Sequence, residues 1–584
     1  MDYQLTLDFL PCCVTVHPMP KRRTVLFIQL PQLDNDLKWD NENVPLAAAY
    51  LQFAAEQAGE NAHYEFIRLP ESAHTAGNQS LLETITALSP DVVAGTIYLW
   101  NIERTLRLTR LLRNRLPGIR ILLGGPEVAY SHPFLFRQST ADALVVGEGE
   151  TVFPALLRAI RTGKPINYST VASMSGTGYR WGAQPPPPVN LSHQLPPPGY
   201  DACRPDARGM AYLETSRGCP MRCTYCRYPH LRHSMSFLDP DDILARVRAL
   251  RRLGAREIRF VDPTFNAHPR FGEIVRRLAD LNRSHSLAFF AELNAERLTE
   301  EQADDLARAR FVDVEVGMQS RDALVLKTIR RPTSLDKLET GIRLLTRRRI
   351  KVTLDVMYGL PLQDTGDVKR SVKWALKHPS TNVQCLQTLL LPGTELRDRR
   401  REWRMSALSL PPYAVTGTST MDAGAFGSVE ALIARHPKLR SDVPTTQFVG
   451  SKLDLFSARV DVAVSQQGVS PVFPANRCAC LMTGSDLYGC RKTIGRFIRT
   501  AIRREPDSLF QFVLCPEHEE PLDLLDELIG VIRSQPRHLI DRYSPVALPG
   551  KIASRRVMIQ LPQRKRLSRK WVAEAEDLLM DAFF

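Results

Sequence analysis

The sequence predicts an α/β protein in which strands and amphipathic helices alternate along two stretches, residues 22–165 and 206–430. Short β-branched or apolar runs are separated there by helical runs, which is typical of parallel sheets. Residues 166–205 predict a proline-rich linker between them, because consecutive prolines disfavour helices and central strands. A chain of 584 residues fits about three domains, so residues 431–584 are expected to form a small C-terminal cap that helps to shape the substrate cavity.

The first stretch predicts a doubly wound parallel sheet that binds a ligand at the carboxyl ends of its strands. Glycines follow two of the strands, at Gly124-Gly125 and at Gly147-Glu148-Gly149, and a glycine lets a ligand approach the backbone closely. The expected strands are Thr24–Leu30, His63–Arg68, Asp91–Tyr98, Arg120–Leu123 and Ala143–Val146.

The second stretch predicts six further strands with basic amphipathic helices between them. Several of these strands run into short polar or glycine-containing motifs, such as FVDPTFN and LDVMYGLP. The expected strands are Met210–Glu214, Glu257–Val261, Ala288–Leu293, Asp313–Gly317, Val352–Met357 and Val383–Leu390.

Three cysteines, Cys219, Cys223 and Cys226, have the spacing C-x3-C-x2-C directly after the first strand of the second stretch. Soft thiolate ligands select iron–sulfur clusters, and three of them leave one iron of a cubane open to a small molecule. A zinc site is the weaker interpretation, because zinc usually takes four ligands in paired spacings, although His230 could complete such a set. Cys478, Cys480, Cys490 and Cys515 lack the spacing of a second cluster and are expected to be buried free thiols.

The cysteine run SRGCPMRCTYCRYP closely resembles the radical S-adenosylmethionine (radical SAM) enzymes, and the later strand-end motifs match that family in order and spacing. The resemblance implies a partial (β/α)6 barrel, a [4Fe–4S] cluster held by the three cysteines, and S-adenosylmethionine on the open iron. The cofactor contacts that it implies are Tyr228, Asp262, Phe265, Glu292, Gln319, Ser320, Gly359, Pro361 and Pro392.

Three segments of the first stretch, residues 91–101, 122–128 and 146–150, resemble the cobalamin-binding domain that precedes many radical SAM domains. No Asp-x-His-x-x-Gly motif is present, so the resemblance implies cobalamin without a protein histidine on cobalt. A related flavodoxin-like domain that binds nothing is the alternative. The residues implied to line the corrin or its nucleotide tail are Thr96, Tyr98, Trp100, Asn101, Gly125, Pro126, Glu127, Gly147, Glu148 and Gly149.

Together, these resemblances imply a radical C-methyltransferase. A 5′-deoxyadenosyl radical would abstract hydrogen from an unactivated carbon, and cobalamin would deliver the methyl group. The alternatives are a rearrangement or cyclisation with the same cofactors, or a non-catalytic cobalamin-binding sensor. A methylthiotransferase is disfavoured because residues 22–165 contain no cysteine for an extra cluster. The substrate would be a small molecule, lipid or peptide, and the electron donor a flavodoxin or ferredoxin.

Composition excludes several other classes of protein. The net charge of +14 comes mainly from arginines spread along helices, without the basic–aromatic interleaving of a nucleic-acid platform. No apolar run approaches the roughly 20 residues of a membrane span, and the N-terminus lacks a convincing secretory signal. Eleven irregularly spaced cysteines argue against a disulfide framework, so the cytoplasm is expected.

Overall fold

The computed structural model has the expected sequence of α/β units. His230, the alternative zinc ligand, lies outside the residues that it describes. These are residues 22–33, 44–176, 178–200, 203–228, 234–378, 381–436, 438–440, 449–450, 458–464, 473–542, 554–562 and 567–581.

The N-terminal unit is built on a seven-stranded sheet with the order β2-β1-β3-β4-β5-β6-β7. The first five strands are parallel, and β6 and β7 are antiparallel. The strands are β1 (Arg23–Ile28), β2 (Tyr64–Arg68), β3 (Val92–Thr96), β4 (Arg120–Gly124), β5 (Ala143–Val145), β6 (Val171–Ser175) and β7 (Gly178–Trp181).

Helices cover both faces of this sheet, which confirms the doubly wound prediction. One apolar core joins α1 and α5 to one face, and a second core joins α2, α3 and α4 to the other. The helices of this unit are α1 (Leu46–Gln57), α2 (Asn78–Leu88), α3 (Ile102–Arg115), α4 (Pro133–Gln138) and α5 (Val152–Thr162).

The structure differs from the prediction in the segment expected to be a linker. Its first part forms the hairpin β6–β7, which extends the N-terminal sheet. Tyr179 and Trp181 pack against the core on the α2–α4 side, so burial of aromatic surface stabilises the hairpin. The prolines from Pro185 onward come after the hairpin, and they dominated the sequence pattern.

The central unit contains a second seven-stranded sheet, with the order β18-β15-β14-β13-β12-β11-β8 and parallel pairing throughout. Strands β8 and β18 stand at its two edges, so the barrel is partial, as predicted. The pairs β9–β10 and β16–β17 are separate antiparallel ribbons. The strands are β8 (Met210–Leu213), β9 (Ser216–Arg217), β10 (Ser236–Phe237), β11 (Glu257–Phe260), β12 (Ala288–Glu292), β13 (Phe311–Gln319), β14 (Lys351–Tyr358), β15 (Thr381–Gln387), β16 (Ser406–Ala407), β17 (Val415–Gly417) and β18 (Leu439–Arg440).

The helices of the central unit bury their apolar faces against this sheet in one large core. The described helices after α5, up to the end of this unit, are α6 (Leu191–Gln194), α7 (Pro240–Arg252), α8 (Phe271–Leu281), α9 (Glu300–Ala309), α10 (Ala323–Thr328), α11 (Leu335–Arg347), α12 (Thr365–Ala375), α13 (Glu395–Asp398) and α14 (Ala423–Arg435).

The C-terminal unit is a smaller α/β layer with five parallel strands in the order β19-β23-β22-β21-β20. Cys478 and Cys480 have no exposed surface and pack in the apolar core, as expected of buried thiols, whereas Cys490 and Cys515 are partly exposed and differ from that expectation. Its elements are β19 (Val449–Gly450), β20 (Ala458–Ala463), β21 (Arg477–Thr483), α15 (Arg491–Arg504), β22 (Leu509–Cys515), α16 (Asp523–Arg533), β23 (Arg555–Gln560) and α17 (Arg569–Asp581).

The C-terminal unit docks on the N-terminal unit at α2 and α3. Asn78 donates a side-chain hydrogen bond of 2.9 Å to Asp507, and Arg107 pairs with the same carboxylate at 2.8 Å. Arg542 forms an ion pair with Glu103. These contacts place the unit beside the N-terminal sheet, and its role as a cap that helps to shape the substrate cavity stays a prediction. Among the described helices, none is long and apolar enough to cross a membrane.

Candidate active site

The segment with the three cysteines follows β8 at the carboxyl edge of the barrel sheet. The antiparallel pair β9–β10 ties its two ends together, and Gly218 begins it with a φ of 101°, a conformation that favours glycine. The amide of Thr224 donates to the carbonyl of Ile329, and the carbonyl of Thr224 accepts from the amide of Leu396. Backbone bonds therefore fix the middle of the loop to two neighbouring segments of the barrel.

All three cysteines of the loop are free thiols. Cys223 accepts a hydrogen bond from Arg331 at 3.7 Å, and Cys219 lies 3.7 Å from the hydroxyl of Thr264. Burial raises the pKa of Cys226 to about 12, and the neighbouring charges of Cys223 and Cys219 add to this rise. Thiolates as ligands would therefore require a compensating positive charge, which bound iron supplies.

The chemistry of this donor set fits three irons of a [4Fe–4S] cubane. In the described part of the chain, no group of three or more histidine, cysteine, aspartate or glutamate side chains is already arranged around a metal position. The loop thus presents neighbouring thiols rather than a closed ligand shell. Arg331 provides a fixed cation beside them, as it also donates to the carbonyl of Gly317.

Asp262 lies beneath the start of the cysteine loop with no exposed surface. Its carboxylate accepts from the amide of Thr215 at 3.1 Å and from the hydroxyl of Ser216 at 2.7 Å. Burial, with a further contribution from the charge of Glu214, raises its pKa to about 7. The hydrogen bonds to Thr215 and Ser216 hold the start of the loop in place, and the contact of Asp262 with a cofactor stays a prediction.

Phe265, which the sequence predicted as a cofactor contact, is a core residue in the structure. Its ring has no exposed surface and stacks on Phe260 with a centroid distance of 4.2 Å. It also packs edge-on against Phe271. The motif FVDPTFN shows that a phenylalanine is present, but it does not show whether its ring faces a cofactor or packs among other core residues.

A row of carboxylates crosses the inner face of three adjacent barrel strands. Glu292 ends β12 and pairs in register with Glu315 on β13, while Asp355 lies one strand further on β14. The side chain of Glu292 is exposed, but loss of hydration and the charges of Glu315 and Asp262 raise its pKa to about 7. Burial and Glu315 raise the pKa of Asp355. Glu292 can therefore hold a proton near neutral pH, and the row offers hydrogen-bond groups to a ligand.

Among the remaining predicted contacts to S-adenosylmethionine, Gln319 has a hydrogen-bond acceptor left free by the described residues, whereas the others are bonded or packed within the protein. Gln319 has a φ of 68°, and its buried side-chain oxygen has no hydrogen-bond partner among the described residues, so it can accept from a ligand. Ser320 is buried and accepts from the amide of Asp322 at the start of α10. A Cβ on Gly359 would lie 2.8 Å from the ring of Phe426. Pro361 and Pro392 are both buried.

A cavity of about 370 Å³ lies between the carboxyl ends of the N-terminal strands and the barrel. Its barrel wall includes Glu214, Arg217 and Tyr228, close to the cysteine loop. We call it the interdomain cavity. Seven of the ten predicted cobalamin contacts line it, namely Thr96, Tyr98, Gly125, Pro126, Gly147, Glu148 and Gly149.

Two glycines of the interdomain cavity have a positive φ, and the absence of a side chain has a different consequence at each. A Cβ on Gly125, at a φ of 110°, would lie 2.6 Å from the carbonyl oxygen of Ile97. This glycine allows two backbone segments to pack. Gly147, at a φ of 79°, has no described atom within 4 Å of the same position, so its missing side chain leaves open cavity. The cavity and its glycine floor fit a bulky, flat cofactor.

Three predicted cobalamin contacts lie outside this cavity. Trp100 stacks on Tyr98 with a centroid distance of 4.4 Å and faces a second cavity. Asn101 is buried, and it accepts from the amide of Tyr98 and donates to the carbonyl of Leu30. These bonds hold the loops after β1 and β3 together.

The third of these contacts, Glu127, belongs to a buried polar cluster between the N-terminal unit and the barrel. Its carboxylate lies 3.2 Å from His132 and accepts from the hydroxyl of Tyr413 at 3.2 Å. Glu127 is therefore committed to the domain interface, which the sequence pattern could not show.

Tyr228 stands where the cysteine loop meets the interdomain cavity. Its side chain is 46% exposed and lines the cavity together with Tyr98. Desolvation raises the pKa of its hydroxyl, and the charges of Glu292 and Cys226 add to that rise. Tyr228 is therefore near both the carboxylate row and the thiols, so a cofactor in the cavity would contact it.

Sequence reasoning missed Arg217, which connects the two walls of the cavity. Its guanidinium lies 2.8 Å from Glu214, 3.0 Å from Glu148 and 2.9 Å from Glu150. Burial would lower its pKa, but the hydrogen bond and charge of Glu214 and the charges of the other two carboxylates raise it. The sequence does contain the three glutamates and the arginine, in the motifs VGEGE and YLETSRG. Their proximity depends on how the two domains dock, which the sequence pattern does not show.

Two family models match this chain, one on each unit that forms the interdomain cavity. The model described as a B12 binding domain matches residues 37–157, and the model described as the Radical SAM superfamily matches residues 213–375. The first match contains the cavity glycines, and the second contains the cysteine loop.

Curated relatives match part of the chain. The chain is 27% identical over 342 residues to 2-(S-pantetheinyl)-carbapenam-3-carboxylate methyltransferase from Streptantibioticus cattleyicolor. It is 25% identical over 342 residues to the cobalamin-dependent radical SAM methyltransferase TokK from Streptomyces tokunonensis. Each alignment covers 55% of this chain and 49% of the relative, so the chain spans about half the length of the curated relatives that it matches.

A solved structure shares the architecture of the chain. The cobalamin-dependent S-adenosylmethionine radical enzyme OxsB, with aqua-cobalamin bound, superposes with a TM-score of 0.54 at 15% sequence identity. The match covers 71% of this chain and 67% of OxsB. The likeness at this identity concerns the fold.

Proposed function

Because this chain belongs to the cobalamin-dependent radical SAM proteins, we propose that it is a methyltransferase that acts on an unactivated carbon. When bound, the [4Fe–4S] cluster, S-adenosylmethionine and cobalamin supply radical formation and methyl transfer. The observation that carries the proposal is the interdomain cavity, in which predicted cobalamin contacts and Tyr228 beside the cysteine loop line the same space.

The candidate residues form three groups according to the cofactor that each group would contact. Cys219, Cys223 and Cys226 would bind the cluster. The exposed carboxylate of Glu292 and the unpartnered oxygen of Gln319 would bind polar groups of S-adenosylmethionine, and Tyr228 would pack at the boundary between the two cofactors. The cavity glycines would lie against the corrin. The methyltransferase names of the two curated relatives support the proposed activity.

The protein's own contribution would be to place the reactants and exclude water. Arg217 joins the N-terminal unit to the barrel through Glu148, so it would fix the distance between the two cofactor sites. Asp262 would support this geometry by holding Thr215 and Ser216 at the start of the cysteine loop.

The partners and compartment belong to the same proposal. A radical SAM protein needs an external electron, which a flavodoxin or ferredoxin would deliver. A cluster with an open iron requires a reducing environment, so we infer the cytoplasm as its location. The substrate would be a small molecule, a lipid or a peptide, because the names of the relatives support the proposed chemistry but say nothing about the shape of this chain's pocket.

The test is anaerobic incubation of the reconstituted protein with reductant, methyl-deuterated S-adenosylmethionine and a panel of candidate substrates. A methyltransferase should transfer the deuterated methyl group to one substrate, as detected by mass spectrometry. S-adenosylhomocysteine and 5′-deoxyadenosine should accumulate in step with that product. The variant with all three loop cysteines replaced by alanine should form no 5′-deoxyadenosine.

Two results would contradict the proposal in different ways. Substrate-dependent 5′-deoxyadenosine without transferred label would replace methylation by a rearrangement or cyclisation. Transferred label with S-adenosylhomocysteine alone would retain methylation and remove the radical step.

A further inference from the structure

We propose that a second cavity, of about 350 Å³, is a binding site for a small organic anion with an apolar body. This cavity lies where the three units meet, and we call it the three-unit cavity. It is lined by Trp100 of the N-terminal unit, Leu410 of the central unit and Leu539 of the C-terminal unit. The stacked rings of Trp100 and Tyr98 separate it from the interdomain cavity.

The topology of the N-terminal sheet favours a ligand site at this place. Residues 31–33 follow β1 and Trp100 follows β3, and both segments line the three-unit cavity. In the order β2-β1-β3 the chain reverses direction across the sheet between β1 and β3. Loops after such neighbouring strands diverge and leave a crevice, where doubly wound sheets commonly bind ligands.

The charges that line the three-unit cavity are predominantly positive. Two of its five arginines are neutralised, because Arg107 pairs with Asp507 and Arg542 pairs with Glu103. The lining arginines without such an ion pair among the described residues are Arg104, Arg537 and Arg555.

Arg104 gives an independent observation that points to a ligand in this cavity, because one of its buried donors has no partner among the described residues. It is 5% exposed, and its Nη1 has no hydrogen-bond partner in the described part of the chain. Its other two nitrogens donate to Asn78 and to the carbonyl of Ala76. Burial lowers the pKa of Arg104, which reflects the cost of holding an incompletely compensated charge. An anion at Nη1 would remove that cost.

Nearby carboxylates are engaged with other groups. Glu505 accepts from the backbone amides of Asn78 and Gln79, at 2.7 and 2.9 Å, and Asp541 accepts from the amide and hydroxyl of Ser554. His538 also lines the cavity, but burial lowers its pKa to about 4, so it is neutral at physiological pH. The positive character of the cavity therefore comes from arginine and persists over the neutral pH range.

The walls define the rest of the ligand. Leu33, Trp100, Leu410 and Leu539 add apolar surface to the cavity that the arginines line. A carboxylate or phosphate would form charge-assisted hydrogen bonds with the guanidinium groups, while an aromatic or branched aliphatic body would cover these walls.

The test compares an anion with its neutral isostere on the full chain carrying its cofactors. Binding of 4-(trifluoromethyl)benzoate and 4-(trifluoromethyl)benzamide would be measured by fluorine NMR, with phenyl phosphate as a competitor. We expect the benzoate to bind at least about tenfold more tightly than the benzamide. Arg104→Gln and Arg537→Gln should each weaken the benzoate about tenfold. Arg537 is exposed, so its replacement keeps the test valid if Arg104→Gln fails to fold.

Arg110→Gln is the matched control, because Arg110 lies on the same helix as Arg104 but is exposed and pairs with Gln138. It should leave benzoate affinity unchanged. Competition by phenyl phosphate would extend the ligand class to phosphates, and its absence would restrict it to carboxylates. Equal binding of benzoate and benzamide, equal effects of Arg110→Gln and Arg537→Gln, or binding of neither anion would overturn the proposal.

Discussion

Arg217 of the barrel and Glu148 of the N-terminal unit form an ion pair of 3.0 Å across the wall of the interdomain cavity. The side chain of Arg217 is 17% exposed and also contacts Glu214 and Glu150. One cation therefore holds three carboxylates from both units next to the cysteine loop, where it would fix the relative position of the two proposed cofactor sites.

Removal of Arg217 should loosen this junction. Arg217→Met would leave three largely buried carboxylates without their cation, and such a loss typically costs about 3–5 kcal/mol. We expect an earlier unfolding transition in urea and weaker cobalamin binding. Arg120→Met is the control, since Arg120 pairs with Asp142 at an exposed site and should change stability by about 1 kcal/mol or less. Identical transitions for both variants would contradict the role of Arg217.

The cysteine loop should hold all of the protein's iron. Anaerobically reconstituted protein should contain about four irons per chain. The alanine variant of Cys219, Cys223 and Cys226 should lose this iron and its visible absorbance, measured by a colorimetric iron assay. A Cys490→Ala and Cys515→Ala double variant should keep it. Full retention of iron in the triple variant would place the cluster elsewhere.

Cobalamin binding should depend on the open space above Gly147. Gly147→Leu would place a side chain in the interdomain cavity and should reduce affinity for cobalamin at least about tenfold, measured by equilibrium dialysis. Gly163→Leu is a matched control, because Gly163 has a similar φ of 74° and also has no described atom near its missing Cβ, but lies at the end of α5. Both variants carry similar backbone strain.

Equal affinities in the two glycine variants would show that strain, and not filling of the cavity, governs binding. Bound cobalamin should also have a base-off spectrum, since the sequence has no Asp-x-His-x-x-Gly motif. A spectrum with a nitrogen ligand on cobalt would contradict that expectation.

Glu292 should make the stability of the cofactor-free protein depend on pH. Its pKa rises from an ordinary value of 4.5 to about 7 in the folded state, so the folded protein holds this proton more tightly than the unfolded chain. Stability should therefore fall as pH rises from about 4.5 to about 7, and the loss is complete above that window.

Glu292→Gln keeps the side chain uncharged and should remove this part of the pH dependence in thermal unfolding curves. The variant should gain stability relative to the wild type as pH rises through the same window. Glu83→Gln, at an exposed position on α2, should follow the wild type. A wild-type pH profile in Glu292→Gln would show that Glu292 ionises freely.

Some site residues could be predicted because their chemistry depends on local spacing. The three cysteines lie within eight residues, and the glycines of VGEGE follow directly on a strand, so a short segment defines each motif. Phe265 and Glu127 were predicted to be cofactor contacts, and the structure places them in the core and at the domain interface. The direction in which their side chains point depends on the packing of neighbouring elements, which a motif does not record.

The sequence by itself determined the α/β class, the strand order along the chain and the cysteine loop, because hydrophobic periodicity and ligand spacing are local properties. Only the tertiary structure decided that the hairpin of residues 171–181 extends the N-terminal sheet, and that the C-terminal unit docks on α2 and α3. It also brought Arg217 to Glu148, residues 69 positions apart. Such contacts form between surfaces of separate units that pack against each other. Which surfaces pack depends on the complete tertiary structure and not on any local segment.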